Sequence, residues 1–176
     1  MLKILTAALL PSLLIQCYFV KKNTLRLPEA KGQRNGVVNS GKTALSILIV
    51  GDSAAAGVGV ENQQDALLGS ILTELQHDFD LSYQLEARTG DTTLQVLERM
   101  QMLEIKPFDI VITSVGVNDV TKLISPQKWI QQQQEFYTVI ERKFSPKMVL
   151  VTSVPPMNLF PALPNPLSWL FGQYSS

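Results

Sequence analysis

Three residues that could take part in chemistry each follow an apolar stretch of the chain. Ser53 ends the sequence Gly-Asp-Ser, Gly90 stands in Thr-Gly-Asp, and Asn118 stands in Gly-Val-Asn-Asp. A serine hydroxyl can work with a base in catalysis, and the neutral carboxamide of Asn118 can stabilise a developing negative charge. The same residue types are also common in turns and helix caps, so each position has a purely structural interpretation too.

Apolar and β-branched runs before these three residues predict the strands that position them. The run that ends at the Gly-Asp-Ser turn, ILIV, is typical of a buried parallel strand, and the run FDIVITSV suits the centre of a sheet. The predicted strands cover 44–50, 83–88, 108–115 and 147–153.

Helical patterns follow the first three strands. Leucines and isoleucines at three- and four-residue spacing predict a helix over 64–77, and Asp91 or Thr92 is expected to cap the next one. Ser125 and Pro126 are expected to open a third helix. Alternation of strands and helices indicates an α/β sheet whose carboxyl edge binds ligands, so Ser53, Gly90 and Asn118 are expected at that shared edge.

Composition limits the classes of function. The 176 residues are 45% hydrophobic and 17% charged, which is enough for one globular domain. The formal net charge of zero lacks the basic footprint of a nucleic-acid-binding protein. One cysteine, Cys17, and one histidine, His77, exclude an internal disulfide and a metal site rich in Cys or His. Nothing else in the sequence implies a metal or organic cofactor.

His77 is the one histidine that could serve as a general base for Ser53. It lies at the tail of the helix predicted over 64–77, whose ends are about 20 Å apart. This placement favours a surface residue at a helix C-terminus, where the helix dipole stabilises an imidazolium.

Residues 1–22 are predicted to be an N-terminal anchor or signal segment. An apolar run extends from Ile4 to Val20, with Lys3 before it and Lys21 and Lys22 after it. No small-residue cleavage site follows, which favours an uncleaved membrane anchor over a cleaved signal peptide. The segment before Cys17 resembles a lipoprotein box, but Gln16 stands where a small residue is required. The prediction is a membrane-anchored or extracytoplasmic (periplasmic or secreted) protein, with the orientation left open.

Residues 23–43 are predicted to be a polar linker that leads to the domain at 44–176. Within it, Gly36–Thr43 has the spacing of a phosphate-binding P-loop. A working P-loop follows a strand and opens a helix, whereas this segment is expected to run directly into a strand. A nucleotide-binding function is therefore kept as a minor alternative.

The ordered set of Gly-Asp-Ser, Thr-Gly and Gly-Val-Asn-Asp resembles the SGNH hydrolase superfamily, the GDSL-type esterases and lipases, over about Leu45 to Phe160. The resemblance implies a three-layer, flavodoxin-like parallel sheet and hydrolysis of small-molecule carboxylic esters through an acyl-enzyme on Ser53. It further implies an oxyanion hole made by the backbone N–H of Ser53, the backbone N–H of Gly90 and the side chain of Asn118. Asp52 is expected to shape the turn.

One departure from the family pattern is serious. The family supplies an Asp and a His, three residues apart, on a loop after a fifth parallel strand, and neither that strand nor the loop follows Pro156. The sequence therefore predicts an SGNH-type domain without its last strand and catalytic loop. Hydrolysis should be impaired, and the fourth strand should expose an apolar edge open to self-association. A non-catalytic remnant or ligand-binding domain is the alternative.

Overall fold

A computed structural model of the chain describes residues 2–175. It has seven α-helices and five β-strands within these residues, together with short 3-10 turns at Gln63–Asp65 and Met157–Leu159. The helices are α1 (Leu2–Asn23), α2 (Ser53–Ala56), α3 (Leu67–Leu75), α4 (Thr93–Met102), α5 (Val117–Thr121), α6 (Pro126–Phe144) and α7 (Leu167–Tyr174). The strands are β1 (Asn35–Val38), β2 (Thr43–Gly51), β3 (Phe79–Ala87), β4 (Ile110–Ser114) and β5 (Met148–Val151).

The five strands form one mixed sheet in the order β1-β3-β2-β4-β5. Strands β2 to β5 run parallel, and β1 pairs with β3 in the antiparallel direction. The parallel strands, taken in chain order, lie as second, first, third and fourth, which is the flavodoxin-like arrangement. The predicted α/β, flavodoxin-like class is confirmed. A fifth parallel strand is not among residues 2–175.

Alternation along β2 produces the three layers. Leu48 and Val50 point to one side of the sheet and pack with α4 and α6, while Ile47 and Ile49 point to the other side and pack with α2 and α3. All four side chains are at most 1% exposed, as expected for a central strand covered on both faces. The last residues of β2 are therefore held rigidly, and the turn to Ser53 starts from a fixed point.

The predicted linker over 23–43 needs correction. It contains β1, whose four residues extend the sheet beyond β3, and Ala30 within it is 5% exposed. Arg34 carbonyl accepts a hydrogen bond of 2.6 Å from the Leu85 amide. Sequence pattern missed β1 because the strand has only four residues and depends on pairing with a distant partner. The four residues of β1 are therefore part of the sheet.

Two element boundaries differ by three or four residues from those predicted, and the others by two or fewer. Strand β3 begins at Phe79 instead of residue 83, because the polar residues at its start pair with β2 and interrupt the apolar pattern. Helix α3 begins at Leu67, after a 3-10 turn, instead of at residue 64. A Cβ on Gly69 would lie 2.4 Å from the Gln63 carbonyl oxygen, so glycine permits the close contact between the turn and the helix.

The N-terminal segment predicted as an anchor forms α1. Leu13 is 5% exposed and belongs to an apolar cluster with Leu167, Leu170 and Phe171 of α7. No helix among residues 2–175 combines the length and the apolar character that a membrane crossing requires. Met1 and Ser176, the outermost residues of the predicted anchor and domain, lie outside the described residues.

Strand β5 is the outermost strand on its side of the sheet within the described residues. Met148, Leu150 and Val151 are 52%, 46% and 61% exposed. This agrees with the apolar edge expected for the fourth parallel strand. An exposed strand edge with apolar side chains is a surface on which another chain can pair, and self-association through it stays a proposal.

The Asp109 carboxylate links three strands near the end of the sheet where the parallel strands begin. Asp109 accepts hydrogen bonds from the backbone amide and the hydroxyl of Ser46, at 2.8 and 2.7 Å, and pairs with Lys147 at 2.8 Å. Lys147 and Ser46 lower the pKa of Asp109 to about 2. The ionised carboxylate therefore stabilises the fold.

We expect Asp109→Asn to lower the free energy of unfolding at pH 7 by about 1–3 kcal/mol, since hydrogen bonds to a charged group are lost. The folded pKa lies below the ordinary value near 3.8. The contribution is therefore complete above pH 4 and is lost as the pH falls through about 2. The free energies of unfolding of wild type and Asp109→Asn, measured with urea, should therefore differ less and less as the pH falls from about 4 to about 2. Asp78→Asn, at an exposed site, is the control, and a difference independent of pH would contradict the prediction.

Candidate active site

The register of the parallel strands places the three candidate loops side by side. Gly51 at the end of β2 pairs with Ala87 of β3 and with Ser114 of β4. Ser53, Gly90 and Asn118 follow these positions by two, three and four residues. All three residues therefore lie at the carboxyl edge of the sheet, where open α/β folds bind ligands.

Ser53 begins α2 immediately after a tight turn. A Cβ on Gly51 would lie 2.2 Å from the carbonyl oxygen of Ser114, so only glycine allows β2 to turn this close to β4. The Asp52 amide donates to the same oxygen at 3.0 Å. The Asp52 carboxylate accepts from the Ala54 amide at 3.1 Å, which caps α2 as expected for a residue that shapes the turn. Ser53 itself is half-buried.

The Asn118 side chain connects all three loops. Its Nδ2 donates to the Asp52 carboxylate at 3.2 Å and to the Asp91 carbonyl oxygen at 2.9 Å. Both hydrogens of this amide are thus engaged in the structure. An oxyanion beside Ser53 would have to share the hydrogen of the longer bond, the one to Asp52. The contacts hold the carboxamide between the residue that precedes Ser53 and the residue that follows Gly90.

Gly90 lies on an exposed loop in a left-handed conformation, with φ +85°, and no atom stands within 4 Å of where a Cβ would be. Contacts from two other parts of the chain fix the loop. Glu29 accepts from the amide and the hydroxyl of Thr89, at 2.6 and 2.7 Å. Lys122 donates to the Gly90 carbonyl oxygen at 3.2 Å. The contact with Glu29 was not predicted, because the two residues are sixty positions apart.

Two carboxylates are buried beneath the site. Asp52 and Asp119 are 2% and 3% exposed. Burial raises the pKa of both, and repulsion by Asp119 adds to the rise at Asp52. Asp119 accepts from the amide and the hydroxyl of Thr93, each at 3.0 Å, which fixes the start of α4 against the Asn118 loop. These contacts give both carboxylates a structural role beside Ser53.

A cavity of about 690 Å³ opens beside the Asn118 loop. It lies between α6, the end of β5 and the end of α7. Its lining includes Gly116, Asp119, Trp129, Tyr137 and Val154. Ser53, Gly90 and Asn118 are not part of this lining, so the cavity adjoins the loop that carries Asn118 and none of the three candidate residues.

His77 lies far from Ser53. It is exposed, two residues before β3 begins, and therefore stands at the amino edge of the parallel sheet. The nine residues of β3 put about 27 Å between that edge and the carboxyl edge. The prediction of a surface histidine is confirmed. No second histidine occurs in the sequence, so no imidazole from residues 2–175 reaches the Ser53 hydroxyl.

The segment with P-loop spacing does not face a helix. Gly36 lies in β1, and Thr43 begins β2, so the loop between them connects two strands. Hydrogen bonds from the backbone amides of Ser40, Lys42 and Gly41 lower the pKa of Asp80. The amides that would hold a phosphate are thus directed at a carboxylate of this chain. Among the described residues, no group of His, Cys, Asp and Glu side chains could hold a metal ion either.

Comparison with solved structures supports the fold. AlinE4, described as a SGNH-hydrolase family esterase, is 22% identical with a TM-score of 0.55, over 78% of this chain and 76% of AlinE4. TesA is 24% identical with a TM-score of 0.52, over 73% of this chain and 71% of TesA. A member of the lipolytic protein G-D-S-L family from Veillonella parvula DSM 2008 is 12% identical, with a TM-score of 0.51, over 74% and 72% of the two chains.

A search of curated proteins found no match. A family model does match, and it covers residues 49–175, from the end of β2 to the end of α7. Its description is GDSL-like lipase/acylhydrolase family. The matched range includes the Ser53, Gly90 and Asn118 loops, which the structure brings to one edge of the sheet. The chain therefore belongs to the GDSL-like lipase/acylhydrolase family and has the fold of the SGNH-hydrolase esterases.

Proposed function

We propose that the chain hydrolyses carboxylic esters through an acyl-enzyme on Ser53. The observation that carries this proposal is the pair of hydrogen bonds by which Asn118 joins the loop before Ser53 to the loop after Gly90. They join the loops that carry a carboxamide donor, a glycine amide and the half-buried Ser53 hydroxyl. Preorganised donors of this kind stabilise the tetrahedral oxyanion of acyl transfer.

In the proposed reaction, the Ser53 oxygen attacks the acyl carbon and its proton passes to a base. The carbonyl oxygen becomes an oxyanion that accepts hydrogen bonds from the Ser53 amide, the Gly90 amide and the Asn118 Nδ2. Collapse of the tetrahedral intermediate, with the proton passed from the base to the departing oxygen, releases the alcohol and leaves the acyl group on Ser53. Water then attacks the acyl carbon, releases the carboxylic acid and restores the hydroxyl. No metal or organic cofactor enters these steps.

The proposed reaction needs a base beside Ser53, and neither of the two candidate groups is well placed to supply it. His77 stands at the other edge of the sheet, and the buried Asp52 carboxylate is engaged by Ala54 and Asn118. Loss of the histidine from a serine triad lowers turnover by on the order of a million-fold. We therefore propose that the chain is acylated slowly, and that with an activated ester, whose leaving group departs easily, attack by water on the acyl group is slower still, so that the acyl-enzyme accumulates.

Intact-mass measurement after incubation with p-nitrophenyl acetate at alkaline pH tests the proposal. We expect one acetyl group per chain, and peptide mapping should place it on Ser53. Ser53→Ala should abolish the adduct, whereas Ser82→Ala, at an exposed serine of β3, should retain it. An unchanged adduct in Ser53→Ala, or an unmodified wild-type chain, would favour the alternative of a non-catalytic ligand-binding domain.

The cellular setting is a proposal of the same kind. We propose that the N-terminal segment attaches the protein to a membrane and that the domain works as a membrane-anchored or extracytoplasmic ester hydrolase. The apolar run, the flanking lysines Lys21 and Lys22, and the exposed apolar residues of α1 support this.

A further inference from the structure

We propose that α1 lies along the surface of an anionic lipid bilayer, parallel to its plane, with one face inserted and the other bound to the domain. This inference concerns attachment and does not depend on ester hydrolysis. It rests on the two faces of α1, on where the domain holds the helix, and on the charge at its end.

One face of α1 is covered by the domain. Leu9, Leu13, Gln16 and Val20 recur at the three- and four-residue spacing of a helix face, and all four are buried or half-buried. Leu13 packs against α7. The Gln16 side chain donates to the Asn165 carbonyl oxygen at 2.5 Å and accepts from the Leu167 amide at 3.1 Å.

The opposite face of α1 is apolar and uncovered. Large side chains there are between 49% and 61% exposed, and a soluble protein rarely exposes a continuous apolar stripe of this kind. Two of them are aromatic and stack edge to face, with ring centroids 5.6 Å apart. Aromatic rings favour the interface between lipid and water. The stripe consists of Leu10, Leu14, Ile15, Tyr18 and Phe19.

The domain holds α1 near its middle. Leu13 and Gln16 are the twelfth and fifteenth of the 22 helical residues, and α7 contacts the helix there. If α1 crossed a bilayer, these contacts would place the polar surface around Asn165 in the hydrocarbon, at a cost of several kcal/mol for each unsatisfied group. An orientation parallel to the surface avoids that cost, because α7 stays on the water side.

Charge selects the kind of surface. The first 28 residues contain four basic side chains, from Lys3 to Arg26, and no acidic one. Lys21 and Lys22 are exposed at the end of the helix, and the Lys22 ammonium lies 5.9 Å from the centre of the Tyr18 ring. Lys22 thus borders the apolar stripe. Basic residues beside an inserted apolar face are typical of helices that bind anionic lipid.

Flotation of the full chain with lipid vesicles tests binding. We expect it to bind mixed phosphatidylcholine and phosphatidylglycerol vesicles at least about tenfold better than phosphatidylcholine vesicles, with the preference lost at high salt. Leu14→Glu should weaken binding about tenfold or more, because it places a charge in the inserted stripe. Val37→Glu, at an exposed valine of β1, is the matched control and should bind normally. Equal binding by Leu14→Glu and wild type would overturn the proposal.

Depth measurement separates a helix that lies on the surface from one that crosses. An environment-sensitive fluorophore is attached in turn to Pro11→Cys and Tyr18→Cys, both on the uncovered face of α1, in a Cys17→Ser background, and quenched by lipids labelled at different depths. The two positions are about 10 Å apart along the axis and, being seven residues apart, lie within about 20° of each other around it. We expect the same shallow depth at both. Depth that changes steadily along the helix, or a dimer that protects the stripe without lipid, would overturn the proposal.

Discussion

Imidazole added to the solution is expected to raise the rate at which the chain hydrolyses p-nitrophenyl butyrate by about a hundredfold over the reaction of imidazole alone. General-base catalysis contributes about 10²–10⁴-fold to such reactions, and this sequence offers Ser53 no imidazole of its own. Asn118 joins the loop before Ser53 to the loop after Gly90 by hydrogen bonds, so under the proposed function an added base should act on an arrangement of donors that is already in place. Initial rates measured against imidazole concentration should rise and then saturate.

Two variants test whether the rate increase caused by imidazole, the imidazole rescue, acts through Ser53. Ser53→Ala should show only the background reaction with imidazole, because no nucleophile remains for the base to activate. His77→Ala should be rescued like wild type, since that imidazole is exposed at the opposite edge of the sheet. A large loss of rate in His77→Ala would mean that this histidine reaches the site in some other arrangement. Equal rates for Ser53→Ala and wild type would remove Ser53 from the mechanism.

The strand, turn and helix around Ser53 could be predicted from sequence because every signal there is local. A β-branched run marks β2, and Gly51 allows the turn against Ser114 that places Ser53 at the carboxyl edge. Thr92 is recognisable as a cap, and it forms a capping box with Gln95 as the helix begins. These features depend on residues that are neighbours in the chain.

The supports of the site could not be predicted, because they join distant parts of the chain. Glu29 holds Thr89 from a stretch that looks like a polar linker, and no periodic pattern marks it. Asp119 looks like an ordinary turn residue, yet its carboxylate is buried against Thr93. Burial of an acidic group depends on what packs around it. Sequence pattern therefore finds the residues that face a ligand more readily than those that hold them.

The second large effect is expected at Asn118. Asn118→Ala should lower the imidazole-rescued rate about 10²–10³-fold, which is the usual consequence of removing one side-chain donor from an oxyanion hole. The change also removes the hydrogen bonds to Asp52 and Asp91, so part of the effect could come from movement of the loops. Rates are measured at saturating imidazole. The control is Asn39→Ala, at an exposed asparagine that is distant from Asn118 in the sequence.

Asn118→Asp separates the two contributions of this side chain. It keeps the shape of the residue but replaces the Nδ2 donor by a carboxylate oxygen beside the buried Asp52 carboxylate. Repulsion between the two carboxylates should raise the pKa of both. If Asn118 donates to the oxyanion, the rate of Asn118→Asp should be at least as low as that of Asn118→Ala, at neutral and at mildly acidic pH. The acidic condition does not restore the rate, because a protonated carboxyl has only one donor and holds it in a different geometry. If the loss of rate instead tracked the loss in unfolding free energy across both variants and pH values, Asn118 would act only by holding the loops together.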